Sequence, residues 1–377
     1  MFKNIFFLIG VLSTFTYLNA QQPYEFIEVI DIDATPVISQ GKTNTCWSFS
    51  GTSFLESEII RMTGKQIDLS EIFTVKNTYL KKAENYVMRQ GKAQFSEGGL
   101  AHDVLNTVAE FGLVPNTVFS GLLNHETNHN HYELYDVLKS MVKTYAEHTS
   151  RKLDTKWIDA IDAVLTVYLG SNPKIFAFEG KSYTPESFLA MTKIKPSDYV
   201  SITSFTHQPF YTKFILNIPD NWSNGSYYNV PLDDMIKSIK NALKNGYTVA
   251  LDCDVSEPTF SSKAGVAIIP INSENNLKAL KAIYPEKVIS QKYRQDEFEN
   301  FTTTDDHLMH ITGLFKDQEG TTYYKVKNSW GTNPYRNANG GFVYFSESYM
   351  RLKSISVTFH KDAMLKVVAN KLGVISK

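Results

Sequence analysis

An α+β fold of two lobes around a cleft is what the order of patterns along this chain predicts. Helical periodicity dominates the first half, strand patterns take over from about residue 196, and 377 residues suit one large domain or two lobes sharing a cleft. Apolar residues make up 42% and charged residues 20%, ordinary for a globular chain able to bury a sizeable core. The 21 Tyr and 24 Phe are read as core and hairpin-face residues. A net charge of −1 argues against a nucleic-acid footprint and against a membrane-surface patch.

The N-terminus differs in kind from the rest. Lys3 precedes an apolar run from Ile5 to Tyr17, and Leu18-Asn19-Ala20 resembles a small-residue cleavage site. Residues 1–20 are therefore expected to be a cleaved signal peptide, with the mature chain starting near Gln21 and exported to a periplasm or beyond. The run is too short for a membrane span, and no later stretch reaches spanning length.

Residues 21–377 are expected to form one domain. Tyr24 to Ile38 reads as an extended arm ending at Pro36, and Gln40 to Thr45 as a polar loop. From Cys46, apolar residues at Trp47, Phe49, Phe54, Leu55, Ile59 and Ile60 fit a period of 3.6, with Gly64 as C-cap. A second helix is expected over about 70–89, a turn at Gly98-Gly99, and a third helix ending at Gly112. A helical insertion covers about 120–195. It carries His125, His129 and His131, which lack a ligand-spaced Cys or carboxylate pattern and read as a solvated loop before a helix, not a metal cluster. Strands follow at 200–203, 214–218, 248–253, 309–315, 323–326 and 342–345, with one helix at 231–245.

The chemistry centres on Cys46. A thiol attacks as thiolate, and a helix N-terminus and a nearby imidazolium both lower its pKa. Cys46 opens its helix, so its own N–H can face an oxyanion, and the Gln40 side chain, six residues earlier, can supply a second donor. Asp306-His307 precedes a strand. A hairpin turning at Glu319-Gly320 would bring Asn328 back beside His307, where its amide can fix the ring and tautomer while Trp330 covers that bond from water. His310 lies on the opposite strand face and is given a packing role. Cys253, the second of two cysteines, reads as a buried strand thiol and not as a disulfide partner of Cys46. Asp252 and Asp254 flank that strand and are not read as an acid pair.

These residues together resemble the papain-like cysteine peptidases. Gln40-Gly41-Lys42-Thr43-Asn44-Thr45-Cys46-Trp47-Ser48-Phe49 is similar to their active-site loop and helix, His307 to Gly313 to their catalytic His strand, and Asn328-Ser329-Trp330-Gly331 to their Asn-Ser-Trp-Gly signature. The resemblance implies a papain-like fold, with a helical lobe and an antiparallel β-barrel-like lobe, acting on peptides with no cofactor and no metal. It implies Cys46 as nucleophile, His307 as base, Asn328 as orienter and Gln40 as oxyanion donor. It also implies that Gly98 and Gly99 line the substrate cleft, with Ala250 and Leu308 forming a pocket for the second substrate residue.

Glu97-Gly98-Gly99 to Val114-Pro115 and Asp252 to Val255 resemble the bleomycin hydrolase and bacterial aminopeptidase C branch, as does Thr43 where other branches carry a disulfide Cys. That branch implies an aminopeptidase and a homo-oligomer, its members being hexamers. Its members are largely intracellular, whereas this chain has a leader, and Val367 to Lys377 does not resemble the C-terminal arm that enters their cleft.

Overall fold

A computed structural model describes residues 22–148 and 152–374; the expected signal peptide lies outside them. The chain enters through strand β1 (Ile27–Asp31), so the predicted arm is in fact a paired strand. Three helices follow: α1 (Cys46–Thr63), α2 (Glu71–Met88) and α3 (Ala101–Phe111). Every α1 residue from Trp47 to Ile59 is buried. Its Ser, Thr and Gly positions keep the helix slim enough to be surrounded, which makes it a core helix and not an amphipathic surface one. It stops at Gly64, whose left-handed φ of 69° lets its N–H return to the Ile60 carbonyl. Ser70 caps α2, accepting from the Phe73 N–H at 3.0 Å.

Between residues 120 and 195 lie α4 (Tyr132–Ala146), α5 (Lys156–Leu169), a hairpin of β2 (Phe176–Phe178) with β3 (Lys181–Tyr183), and α6 (Pro185–Thr192). This segment has no separate core. Leu134, Leu138, Ile161, Leu165 and Phe188 join the cluster built on Trp47, Phe54 and Ile72.

The rest is sheet with helices on its flanks: β4 (Tyr199–Thr203), β5 (Lys213–Ile215), β6 (Ser226–Asn229), α7 (Leu232–Lys244), β7 (Val249–Cys253), β8 (Phe260–Ser261), β9 (Val266–Ala267), α8 (Asn276–Ala279), α9 (Gln291–Glu299), β10 (His307–Lys316), β11 (Thr322–Lys327), β12 (Phe342–Ser346), α10 (Glu347–Lys353), β13 (Ser354–His360) and α11 (Lys366–Leu372). The strand order is β5-β6-β4-β13-β7-β10-β11-β12-β9-β8, with β1 also on β10. Pairing is antiparallel except for β12 with β9 and β4 with β6. One edge of β10 is shared: β7 takes residues 307–311 and β1 takes 313–316. At its far end β10 turns through Gly320, at φ 86°, into β11. Strand β13, which the sequence reading lacks altogether, occupies a central position beside β7.

Strands β7 and β10 lie between two cores. Ala250 and Leu308 face the helical cluster, while Val249, Leu251, Cys253, Met309 and Ile311 face a second cluster with α7. Period-two alternation with both faces apolar is the pattern of a strand covered on both sides. Where this wall meets the N-terminus of α1, the two lobes leave a cleft.

Candidate active site

Cys46 is the first residue of α1 and is partly exposed to the cleft, which occupies about 420 Å³, within the usual range for ligand pockets. Gln40, Glu97, Gly98, Asp220, His307 and Trp330 also line it. Backbone bonds zip the loop before Cys46 to the segment after β11. Gln40 N–H donates to the Ser329 carbonyl at 2.9 Å and Gly331 N–H to the Ile38 carbonyl at 3.1 Å. From the other side, the insertion buttresses the same loop. Lys42 N–H donates to the His129 carbonyl at 2.8 Å, and His131 N–H to the Lys42 carbonyl at 3.1 Å. His131 is therefore buried against Tyr79, not solvated as the sequence suggested, and burial pushes its imidazole down to about 3.

His307 Nε2 lies 2.8 Å from Asn328 Oδ1. The same Oδ1 accepts from the Ser329 N–H at 2.8 Å, which fixes the amide orientation. Nε2 therefore carries the proton and Nδ1 is left as the basic nitrogen. Trp330 lies over the ring at 4.8 Å between centroids. Gln40 Oε1 accepts from Ser329 Oγ at 2.6 Å, and its Nε2 donates to the Thr43 carbonyl at 2.7 Å, leaving one N–H uncommitted.

Burial works against the ionised forms at this site. Burial pushes the Cys46 thiol up to about 12; the Leu308 and Trp47 N–H groups pull it back, and Asp220 and Asp305 push it further up. Burial takes His307 down to about 4, with Asn328 opposing. Desolvation outweighs the helix-end amides, so burial favours the neutral form of each group.

The Gly98-Gly99 turn is tied to α1 and the loop before it: Trp47 Nε1 donates to the Glu97 carbonyl at 2.8 Å, and Asn44 Nδ2 to Glu97 Oε2 at 2.7 Å. Gly98 lines the cleft, whereas Gly99 packs on the Trp47 ring, 3.0 Å from where a Cβ would stand. Ala250 and Leu308 lie elsewhere. Both are buried in the helical core beneath α1, and neither side chain lines the cleft. Cys253 is a free, buried thiol. Of the flanking acids, Asp254 pairs with Lys353, 3.2 Å away. Asp252 instead meets Asp305, each with one buried oxygen that lacks a donor. Burial and then Asp305 raise Asp252 well above the carboxylate range, while burial pushes Asp305 to about 7, as for carboxyl groups sharing a proton. Asp220 and Asp305 sit in loops with no local motif, so no spacing rule could find them.

Behind Asn328 lies a second cavity of about 300 Å³ lined by Ser53, Glu56, Glu71, His310 and Lys327. Glu56, Asp68 and Glu71 place carboxylate oxygens within 4.8 Å of one another there, with the Lys327 charge beside them.

A model of the Peptidase C1-like family matches residues 84–374, a segment that contains His307 and Asn328 and follows Cys46. The chain belongs to that family. It is a cysteine peptidase. It is 22% identical to Aminopeptidase C of Listeria innocua, over 89% of this chain and 82% of that protein. It is also 22% identical to the mitochondrial Cysteine proteinase 1 of Saccharomyces cerevisiae, over 94% and 81%. The crystal structure of PepW from Lactobacillus rhamnosis superposes with a TM-score of 0.72 at 17% identity, over 92% of this chain and 84% of that one. The family's fold thus agrees with the lobes and cleft described above. In this member the described C-terminal residues stay outside the cleft: Val374 packs on the second core, in a depression with Tyr228 and Ser201.

Proposed function

We propose that this peptidase hydrolyses peptide bonds through an acyl-enzyme on Cys46, and that it acts at free amino termini. The observation that carries the mechanism is the His307–Asn328 hydrogen bond in the cleft that holds Cys46. Nδ1 takes the proton from Sγ as the thiolate forms and attacks the scissile carbonyl. The negative oxygen is received by the Cys46 N–H and the uncommitted Gln40 N–H. The imidazolium then gives its proton to the departing amine, which leaves the thioester. The freed Nδ1 accepts a proton from water as hydroxide adds to the thioester, the C–S bond breaks to release the acid, and the imidazolium returns its proton to Sγ. Asn328 keeps the ring in the tautomer that presents Nδ1, and Trp330 shields that contact.

The amino-terminal preference rests on the relatives named aminopeptidases. Cys46→Ala is expected to abolish turnover while leaving the fold intact. On the native enzyme, an aminoacyl reporter with a free amine should be cleaved at least tenfold faster than its N-acetylated form, by kcat/KM. Turnover by Cys46→Ala would end the mechanism; equal rates on both reporters would end the preference.

We propose in addition that residues 1–20 direct export, on the leader-like pattern of Lys3, the apolar run from Ile5 to Tyr17 and Leu18-Asn19-Ala20. Sequencing the mature N-terminus should give Gln21, and an intact Met1 in the extracytoplasmic fraction would overturn that reading.

A further inference from the structure

The cleft that holds Cys46 and His307 is also lined by a carboxylate that the mechanism above does not use. Asp220 stands on the loop between β5 and β6. Asn221 pins this loop, its Nδ2 donating to the Leu216 and Gly225 carbonyls at 2.8 and 2.9 Å and its Oδ1 accepting from the Gly225 N–H at 2.7 Å. Asp220 Oδ1 is held by Gln94 Nε2 at 2.7 Å and by Ser96 Oγ at 3.3 Å. Oδ2 has no hydrogen bond or ion pair among the described residues, and it faces the bare Cα of Gly98: a Cβ on Gly98 would stand 2.0 Å from it. The carboxylate is thus rigidly placed, with one oxygen free, against the turn that borders the nucleophile.

Its neighbours set the sign of what it can bind. The lining includes Glu97, Asp220 and Asp306 and no Lys or Arg. The nearest cation, Lys82, donates its Nζ to the Gly98 carbonyl and opposes the rise that burial imposes on the Asp220 carboxyl, without pairing with it. A negative cleft of this kind repels a carboxylate or phosphate and attracts an ammonium. Asp220 lines the same cleft as Cys46 and is the foremost of the charges acting on its sulfur, so a cation seated there stands close to the bond under attack. That short reach favours a backbone amine over the end of a long side chain.

We propose that Asp220 anchors the α-ammonium group of the substrate's first residue beside Gly98, so that the first peptide bond lies at Cys46. This rests on the amino-terminal preference put forward above. The bound ammonium also cancels the negative field that opposes ionisation of Cys46, so the correct substrate promotes its own nucleophile.

The test is Asp220→Asn, isosteric and still able to bond Gln94 or Ser96, with Gly98→Ala as an independent variant whose Cβ displaces Oδ2. Each should lose about 100-fold in kcat/KM on free-amine aminoacyl reporters, chiefly through KM, and in Asp220→Asn the rates on N-acetylated peptides should stay within a few-fold. Iodoacetamide should alkylate Cys46 faster in Asp220→Asn than in the native enzyme, because a charge opposing the thiolate is gone; a purely structural role would not produce that gain. Thermal unfolding checks that both variants fold. A native enzyme that prefers N-acetylated substrates would overturn the amino-terminal reading itself. A native preference for free amines that survives Asp220→Asn would overturn only the assignment to Asp220. A loss confined to substrates with Lys or Arg side chains would show that the bound cation is a side chain, and would also overturn it.

Discussion

Two histidines three residues apart on β10 occupy opposite surroundings. His307 faces the cleft, bonded to Asn328 and covered by Trp330. His310 faces α1, with Nδ1 3.0 Å from Ser53 Oγ, Phe54 edge-on to its ring, and Nε2 buried without a partner. Burial holds both rings neutral. What separates them is the use each side can make of a proton. The cleft offers a thiol to His307. In the inner cavity, which also holds Glu56 and Glu71, His310 bonds Ser53, and the Lys327 ammonium disfavours a second positive charge. The inner side has its own task. Lys327 Nζ donates to Ser53 Oγ at 2.7 Å and to Thr35 Oγ1 at 2.9 Å, and Thr35 in turn donates to Glu56. Lys327 immediately precedes Asn328, so this network holds the end of β11 that presents the orienting amide. One strand thus carries reactive chemistry on one face and positional support on the other.

The sharpest way to break this contrast is at His307. His307→Ala removes the proposed general base and should lower kcat/KM by 10³-fold or more, with the fold retained. His310→Gln should stay within a few-fold of the native enzyme on the same reporter. The reverse ranking would show that the inner face, not the cleft, holds the reaction.

Asn328→Ala probes how the two faces meet, and about a 10- to 100-fold loss in kcat is expected. The pH profile adds a signed test. The acid limb of kcat/KM reports protonation of the free enzyme, and burial places His307 at about 4. Asn328 raises that value by accepting from the protonated ring, so its removal should move the limb to lower pH. A limb that moves upward, or stays in place, would contradict the assigned hydrogen bond.

The legible parts of this molecule are those that obey local rules. Helix α1 ends where Gly64 permits a left-handed turn, and the β10–β11 hairpin returns Asn328 to His307 because antiparallel register is set by the turn. Strand alternation puts His307 and His310 on opposite faces, and the family resemblance, with His307 at the strand entrance, says which of them faces the cleft. Two other features were not legible. Strand β13 and the helix before it have no turn signal to separate them, since residues 347–353 pass from helix directly into strand. Asp220, Asp305 and the His131 loop owe their positions to contacts made across scores of residues. Ala250 and Leu308 were placed in the cleft by resemblance, yet alternation along β7 and β10 turns both side chains into the helical core.

The smallest effect separates the histidines by stability, where activity would barely register His310→Gln. His310 is held well below its ordinary pKa, first by burial and then by Lys327. As pH falls through about 6.5, the unfolded chain protonates at this position and the folded one does not, so the unfolded state binds more protons and stability declines. Each pH unit in that range costs about 1.4 kcal/mol per such group until the folded value is reached. Glutamine cannot titrate, so the variant lacks this contribution. At pH 7.5 it should be about 1–2 kcal/mol less stable than the native protein, from lost packing and the lost bond to Ser53. At pH 5 the gap should narrow or invert. Urea unfolding at the two pH values reads it directly, and a gap that is unchanged between them would mean that His310 already accepts a proton in the folded protein. His131 and His307 are also buried and neutral, so the acid slope should become shallower without vanishing.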